Sequence, residues 1–389
     1  MKVFTWALTA LLLASPLSLM AQEPTLASLT EEIAQLKEQQ EQYRSESTKV
    51  GGYAELHYNA VEGQEPITDL HRFVLLFEKQ IGPNIRFQSE LELEHAFVQS
   101  GEGELELEQA FLEFSLSRET QARAGILLVP LGLINQNHEP NSFMGVERPD
   151  FAKVIIPSTF FAEGAGLKGS WGHSWQYQAY FMAPLDASGF SGASGLRGGR
   201  QKAYKSRAGS LALATRLQYA RPGLRLGWSS YQGNSANEEV KSDARDAGVK
   251  LEQVQVSFNA LDLDWNTANW SLRAEVAQGS LSNSGLLNQV YGGHVGSSLQ
   301  GYYLEPAIKL WAQGDSTLKG FVRYESLSPQ ASVASGSVND AYQYTRTTSG
   351  LNYWPHPQVA LKVDMGTKQT AQTGSAAQQE WNLGLGWVF

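Results

Sequence analysis

Cysteine is missing from all 389 residues, which excludes disulfide frameworks and thiolate metal sites. Long apolar runs are missing as well. Past the first 14 residues nothing approaches the ~18 consecutive apolar residues of a membrane-spanning helix. Hydrophobic residues reach only 42% and mean hydropathy is −0.30, so a bundle of spanning helices is excluded. Positive charge is in deficit, with 30 Lys and Arg against 39 Asp and Glu, which makes nucleic acid an unsuitable partner. Catalytic signatures are lacking too. The seven histidines are dispersed with no HExxH pair, and neither a GxSxG elbow nor a P-loop occurs. No enzyme activity, no cofactor and no metal are therefore expected.

What the chain has in plenty is aromatic rings, 10 Trp, 15 Tyr and 16 Phe, and strict alternation. It closes on QEWNLGLGWVF, where Trp381, Leu383, Leu385, Trp387 and Phe389 alternate with Glu380, Asn382, Gly384 and Gly386. That is a strand with one apolar face and no polar tail behind it.

The opening segment, residues 1–21, has Lys2, an apolar run from Val3 to Ala14 and small residues up to Ala21, the pattern of a secretory signal peptide. Residues 22–49 follow as a short helical segment. Leu26, Leu29, Ile33, Leu36, Gln40 and Tyr43 step by threes and fours, a heptad seam. A periplasmic coiled-coil stalk, most plausibly trimeric, is the first reading, and an amphipathic linker helix the second.

From residue 50 to 389 period-2 segments alternate with breakers, and sixteen strands are expected. Tight connections (IGPN, SRET, GH, RPG, NTAN, QGDS, PHP) alternate with longer ones at 60–69, 97–103, 129–163, 184–206, 234–247, 280–298, 328–341 and 370–376. Short turns at one end and long loops at the other, with an even strand count, point to an antiparallel transmembrane β-barrel. Closure follows, because an open sheet edge in lipid leaves backbone groups unpaired. The alternation slips phase near Asn259 and Ala260, where a β-bulge is expected.

A charge facing lipid at mid-depth costs about 2–4 kcal/mol for Lys or Arg, so the charged strand residues are expected to face the lumen. Arg72, Glu90, Glu92, Glu94, Glu106, Glu108, Arg123, Arg216, Arg225, Arg273 and Arg323 are the candidate pore lining. One wall reads acidic and the opposite one mixed to basic, which would set a transverse field across a wide, watery channel. The loop at 129–163 is the longest and carries four prolines and several buried-type apolar residues. It is expected to fold inward, with His138, Glu139, Glu147, Arg148 and Lys153 at the constriction. An outward cap or a subunit contact is the alternative.

The stretches GGYAELHYN, HRFVLLFEKQIGPNIRFQSELELEHAF and IIPSTFFAEGAGLKG resemble the phosphate-selective porin O and P family. The resemblance implies a trimeric sixteen-stranded channel in the outer membrane of a Gram-negative bacterium, with its third loop constricting the pore. For phosphate-specific members it also implies an arginine ladder and a lysine cluster. Arg148, Lys153 and RGGRQKAYKSR at 197–207 match that pattern, whereas the early strands here are rich in Glu. The function expected first is therefore passive diffusion of small hydrophilic solutes. A solute-specific, phosphate-type anion channel and a structural or adhesive barrel are the alternatives. Expected partners are a homotrimer, outer-membrane lipid and the outer-membrane assembly machinery, the last reading Trp387 and Phe389 as a signal.

Overall fold

The computed structural model describes residues 30–35, 37, 48–99 and 103–389. The chain divides into two units, Met1–Glu46 and Ser47–Phe389. In the first, residues 30–35 and 37 are helical and exposed. The expected leader, and the heptad positions Leu26, Leu29, Leu36, Gln40 and Tyr43, lie outside the described residues.

The second unit is built from β1 (Thr48–Val61), β2 (Ile67–Gly82), β3 (Ile85–Glu94), β4 (Leu105–Ser115), β5 (Thr120–Leu128), β6 (Phe161–Trp171), β7 (Trp175–Met182) and β8 (Ala212–Arg221). It continues through β9 (Leu224–Asn234), β10 (Gln255–Asn266), β11 (Trp270–Leu281), β12 (Ser298–Gln313), β13 (Ser316–Ser332), β14 (Tyr344–His356), β15 (Val359–Thr370) and β16 (Gln378–Val388). Every strand pairs antiparallel with its sequence neighbours, and β16 pairs with β1 to close the barrel. All sixteen expected strands are present. Phe389 extends the closing seam by exchanging two 2.9 Å backbone hydrogen bonds with Gly52. Its ring stacks on Phe73 at 5.8 Å.

The outer face is apolar. Leu261, Val276, Leu304, Val322, Leu351, Leu361, Leu383 and many similar residues stand exposed there. Next to the tight turns the rings pair up, Trp171 with Trp175 at 5.8 Å and Trp265 with Trp270 at 4.3 Å. A belt of this kind suits an interface between oil and water.

The inner face changes with depth. In β10, Val256, Phe258 and Ala260 point inward near the loops, and Asp262 and Asp264 point inward near the tight turn. The register of β10 with both neighbours is continuous through this stretch, so the bulge expected at Asn259–Ala260 is not there. The alternation never changes phase. The inward side chains switch from apolar to charged, and to a hydropathy pattern the two look alike.

The apolar zone exists because the long loops fold over and into the barrel. Their helices α1 (Phe151–Val154), α2 (Glu238–Asp246) and α3 (Ser284–Tyr291) pack Phe151, Val240, Ala244 and Leu287 into one cluster with Phe258, Leu281, Leu299 and Tyr303. Asn237 caps α2 by accepting a hydrogen bond from the Val240 amide at 3.0 Å. The interior is therefore not the wide watery channel expected from strand count, because much of it is closely packed side chain.

Candidate functional site: a loop inside the barrel

Residues 129–160, between β5 and β6, form the loop L3. Backbone buried away from water needs hydrogen-bond partners, and the inward charges of the barrel supply them. Glu275 accepts from the Leu133 amide at 3.2 Å, Asp364 from Val146 at 2.6 Å and Glu325 from Phe151 at 2.9 Å. Arg72 donates to the His138 carbonyl at 2.7 Å, Arg273 to Ser142 at 2.6 Å, and Arg323 to Met144 at 3.2 Å. L3 therefore lies within the lumen. It reaches far enough for Asn141 to donate to the carbonyl of Pro357, in the tight turn between β14 and β15.

The final strand makes room for it. A Cβ added at Gly386 would stand 2.4 Å from Pro140, and one at Gly384 would stand 3.0 Å from Val146. The glycines of QEWNLGLGWVF are inward positions kept empty for the loop. Gly132, at φ +67°, adopts a left-handed turn that lays L3 against Glu275, where any side chain would collide with the carboxylate.

Besides a register shift at Ile81 beside the tight β2–β3 turn, two β-bulges shape the wall formed by β1–β4. Glu55 pairs with Arg72 while Leu56 pairs with Leu70, which leaves His71 as the extra residue. Likewise Glu90 pairs with Gln109 and Leu91 with Leu107, leaving Glu108 extra. Each bulge adds one inward side chain to a lumen wall. The polar doublets His71–Arg72 and Glu108–Gln109, breaking otherwise alternating runs, were the sequence signal for them.

Of the residues expected at a constriction, His138 is buried against Glu90 and Glu108, and Glu139 is half-buried beside Pro140. Glu147 bonds His57 at 3.0 Å and Lys153 at 2.8 Å. Burial alone would raise its carboxyl, but Lys153 and His57 outweigh burial and hold it well below the usual range. Burial opposes ionisation of Asp150 too, and Arg346 and Lys153 together lower it. Arg148 is buried, 9% exposed, and has neither a hydrogen bond nor an ion pair among the described residues.

Arg148 faces a polar cavity of about 140 Å³ between L3 and the β1–β4 wall. It is lined by Glu55, Glu92, Glu94 and Glu106, and by Lys153 and the loop residues Arg197, Arg200 and Lys202. Lys202 pairs with Glu104 and Glu106, while Arg197 and Arg200 donate to the Ser158 carbonyl at 2.9 and 2.8 Å. Burial and the neighbouring Arg200 pull Arg197 down to about 10.

The far wall, expected to be mixed to basic, is lined by ion pairs. Arg216 pairs with Asp262 at 2.7 Å, Arg225 with Asp264, Arg273 with Asp264 at 3.6 Å, and Arg323 with Glu305 and Glu325 at 3.1 and 3.2 Å. Arg123 pairs with Glu113 at 2.7 Å. All but one of these acidic partners lie in a different strand from the arginine they meet; Glu325 sits two residues from Arg323 on the same face of β13. Opposite charges so closely paired leave little net field across the barrel.

No family model matches the chain. Among solved structures, the anion-selective porin from Comamonas acidovorans is similar at TM-score 0.57 and 11% identity, covering 88% of this chain and 99% of that one. The outer-membrane channel DcaP of Acinetobacter baumannii is similar at TM-score 0.56 and 14% identity, covering 88% and 97%. A loop-deletion mutant of OmpT, an outer membrane protein of Vibrio cholerae, aligns at TM-score 0.56 and 10% identity, covering 88% and 99%. At these identities the likeness is one of fold, and it is to porins generally. In sequence, a protein of Aquifex aeolicus (strain VF5), described as uncharacterized, is 31% identical over 334 residues, which is 81% of this chain and 74% of that protein. With that identity sustained over most of both chains, this protein belongs to the same family as the Aquifex aeolicus protein.

Proposed function

We propose that the chain is an outer-membrane channel that passes small hydrophilic ions and solutes by diffusion and performs no chemistry. The observation that carries the reading is a closed barrel, greasy outside, with a charged cavity enclosed between its longest loop and its β1–β4 wall. Such a body is stable only with oil around it and polar solute or water within. L3 and the packed interior restrict passage to the strip beside that wall, so conductance should be small for a sixteen-stranded barrel. The leader directs export, the N-terminal segment stays in the periplasm, and three copies assemble. The trimer follows the expectation from sequence and the trimer form described for the Vibrio cholerae OmpT.

Purified protein inserted in planar bilayers is expected to open in small steps grouped in threes. A folded trimer with no conductance would instead favour a structural or adhesive barrel.

One observation favours a finer reading. Arg148, buried and without a partner among the described residues, stands with Lys153 and Arg197 over the cavity, an arrangement suited to an anion. A channel selective for anions should lose that preference in Arg148→Ala, seen as a shift of reversal potential toward the cation side in a salt gradient. It should also lose any saturation of current by phosphate. An unchanged reversal potential would return the reading to a general pore.

A further inference from the structure

The bulge at Glu108 places a fully buried carboxylate against His138 of L3, and the bonding there is incomplete. His138 Nε2 lies 3.1 Å from Glu108 Oε2 and 3.5 Å from Glu90 Oε1. Neither oxygen of Glu108 has a hydrogen-bond donor in bonding geometry, and His138 Nε2 has no hydrogen-bond partner, among the described residues. The other ring nitrogen, Nδ1, sits 3.2 Å from the carbonyl of Asn135. A carbonyl only accepts, so the Nδ1 proton is committed there, and in a neutral ring Nε2 presents its lone pair to two carboxylates. Three electron-rich atoms converge on one point, which either a proton on Nε2 or a bound cation would relieve.

We propose that Glu90, Glu108 and His138 bind a divalent first-row transition-metal cation that fastens L3 to β3 and β4. The choice is between a proton on Nε2 and a metal, and local charge favours the metal. Arg72 and His57 already take up Glu55, so the charge facing Nε2 is that of two buried carboxylates, Glu90 and Glu108. A protonated imidazole offsets one of those two negative charges, and a divalent ion offsets both.

The surroundings are also those of a ligand set. Tyr53 donates to Glu90 Oε1 at 3.1 Å and Gln109 to Glu90 Oε2 at 2.6 Å, fixing that carboxylate, while Asn135 fixes the imidazole tautomer. One imidazole and two carboxylates suit zinc, cobalt or manganese better than calcium, which prefers oxygen alone. The three ligand atoms lie within 4.8 Å of one another. Two neighbouring groups are weaker candidates. In one, His57 is already bonded to Glu55 and Glu147, and in the other His95 is exposed and bonded to Asp69. The proposal rests on this geometry alone and is independent of the channel reading.

The test uses the full-length protein in detergent, stripped with chelator, reloaded with Zn²⁺ and passed through gel filtration. One zinc per chain is expected to be retained, lost in His138→Gln and in Glu108→Gln, and kept in His71→Gln. X-ray absorption of the zinc-loaded wild type, which needs no variant to fold, should show a single imidazole among oxygen ligands. Wild-type protein that retains no zinc, zinc retained equally in His138→Gln, or a spectrum with two or more imidazoles would each overturn the proposal.

Discussion

Arg323 is 1% exposed and holds together two carboxylates and two carbonyls, those of Glu305, Glu325, Met144 and Glu147. Truncating it leaves two buried carboxylates without their cation, a change that costs about 3–5 kcal/mol in comparable buried pairs. Arg323→Leu should therefore lower the temperature at which the folded barrel converts to its slower-migrating unfolded form on gels. Arg225, whose side chain is 44% exposed, should show a smaller loss when replaced by Leu, because its partner Asp264 keeps Arg273 at 3.6 Å and the amide of Asn266. At this scale the sequence was legible in part. Alternation marked Arg72, Arg273 and Arg323 as charged strand positions expected to face the lumen. It had no means of showing that they donate to a loop 66 to 179 residues away in the chain. The buried histidine-carboxylate group escaped for the same reason, since its members come from β3, β4 and L3 with no local spacing to mark them.

L3 is held by two kinds of contact, and each gives an expectation. Phe151 is fully buried and meets Tyr303 edge-on at 5.4 Å. Phe151→Ala should cost about 3–5 kcal/mol by leaving a cavity. It should also raise single-channel conductance as the loop loosens, whereas an unchanged conductance would place L3 outside the conducting path. The ionic anchors Glu147 and Asp150 are both lowered relative to free carboxyls. Carboxyls depressed by folding contribute stability that is full above their unfolded range and is lost as pH falls through the folded value. The stability the Glu147 anchor adds, read as the difference in unfolding temperature between wild type and Glu147→Gln, should then be constant from neutral pH down to about 4.5, the ordinary glutamate value, and shrink only in stronger acid. A difference already shrinking by pH 6 would contradict this anchor. Strands and turns were readable because tight turns punctuate them. The one bulge expected was misplaced because a change from apolar to charged lining looks like a change of phase, while the signal of the two real ones, the doublets His71–Arg72 and Glu108–Gln109, was overlooked.

At the scale of the whole molecule, closure and filling are separate matters. Closure was legible from the terminal strand, whose apolar residues face out and whose backbone completes the seam with β1. Filling was not, because the residues that occupy the lumen are scattered through four loops and become a core only when the barrel brings them together. The account stands on L3 crossing the lumen from the loop end to the tight-turn end, where Asn141 meets Pro357 at 3.3 Å. The absence of cysteine makes this directly measurable. In a double variant carrying Asn141→Cys and Pro357→Cys, a short bis-thiol linker should join the two positions within one chain, giving a cross-linked peptide by mass spectrometry. The opposite result would be no cross-link, with the thiol introduced in L3 labelled from outside intact cells by a bulky impermeant maleimide. That would place the loop on the exterior and contradict the account.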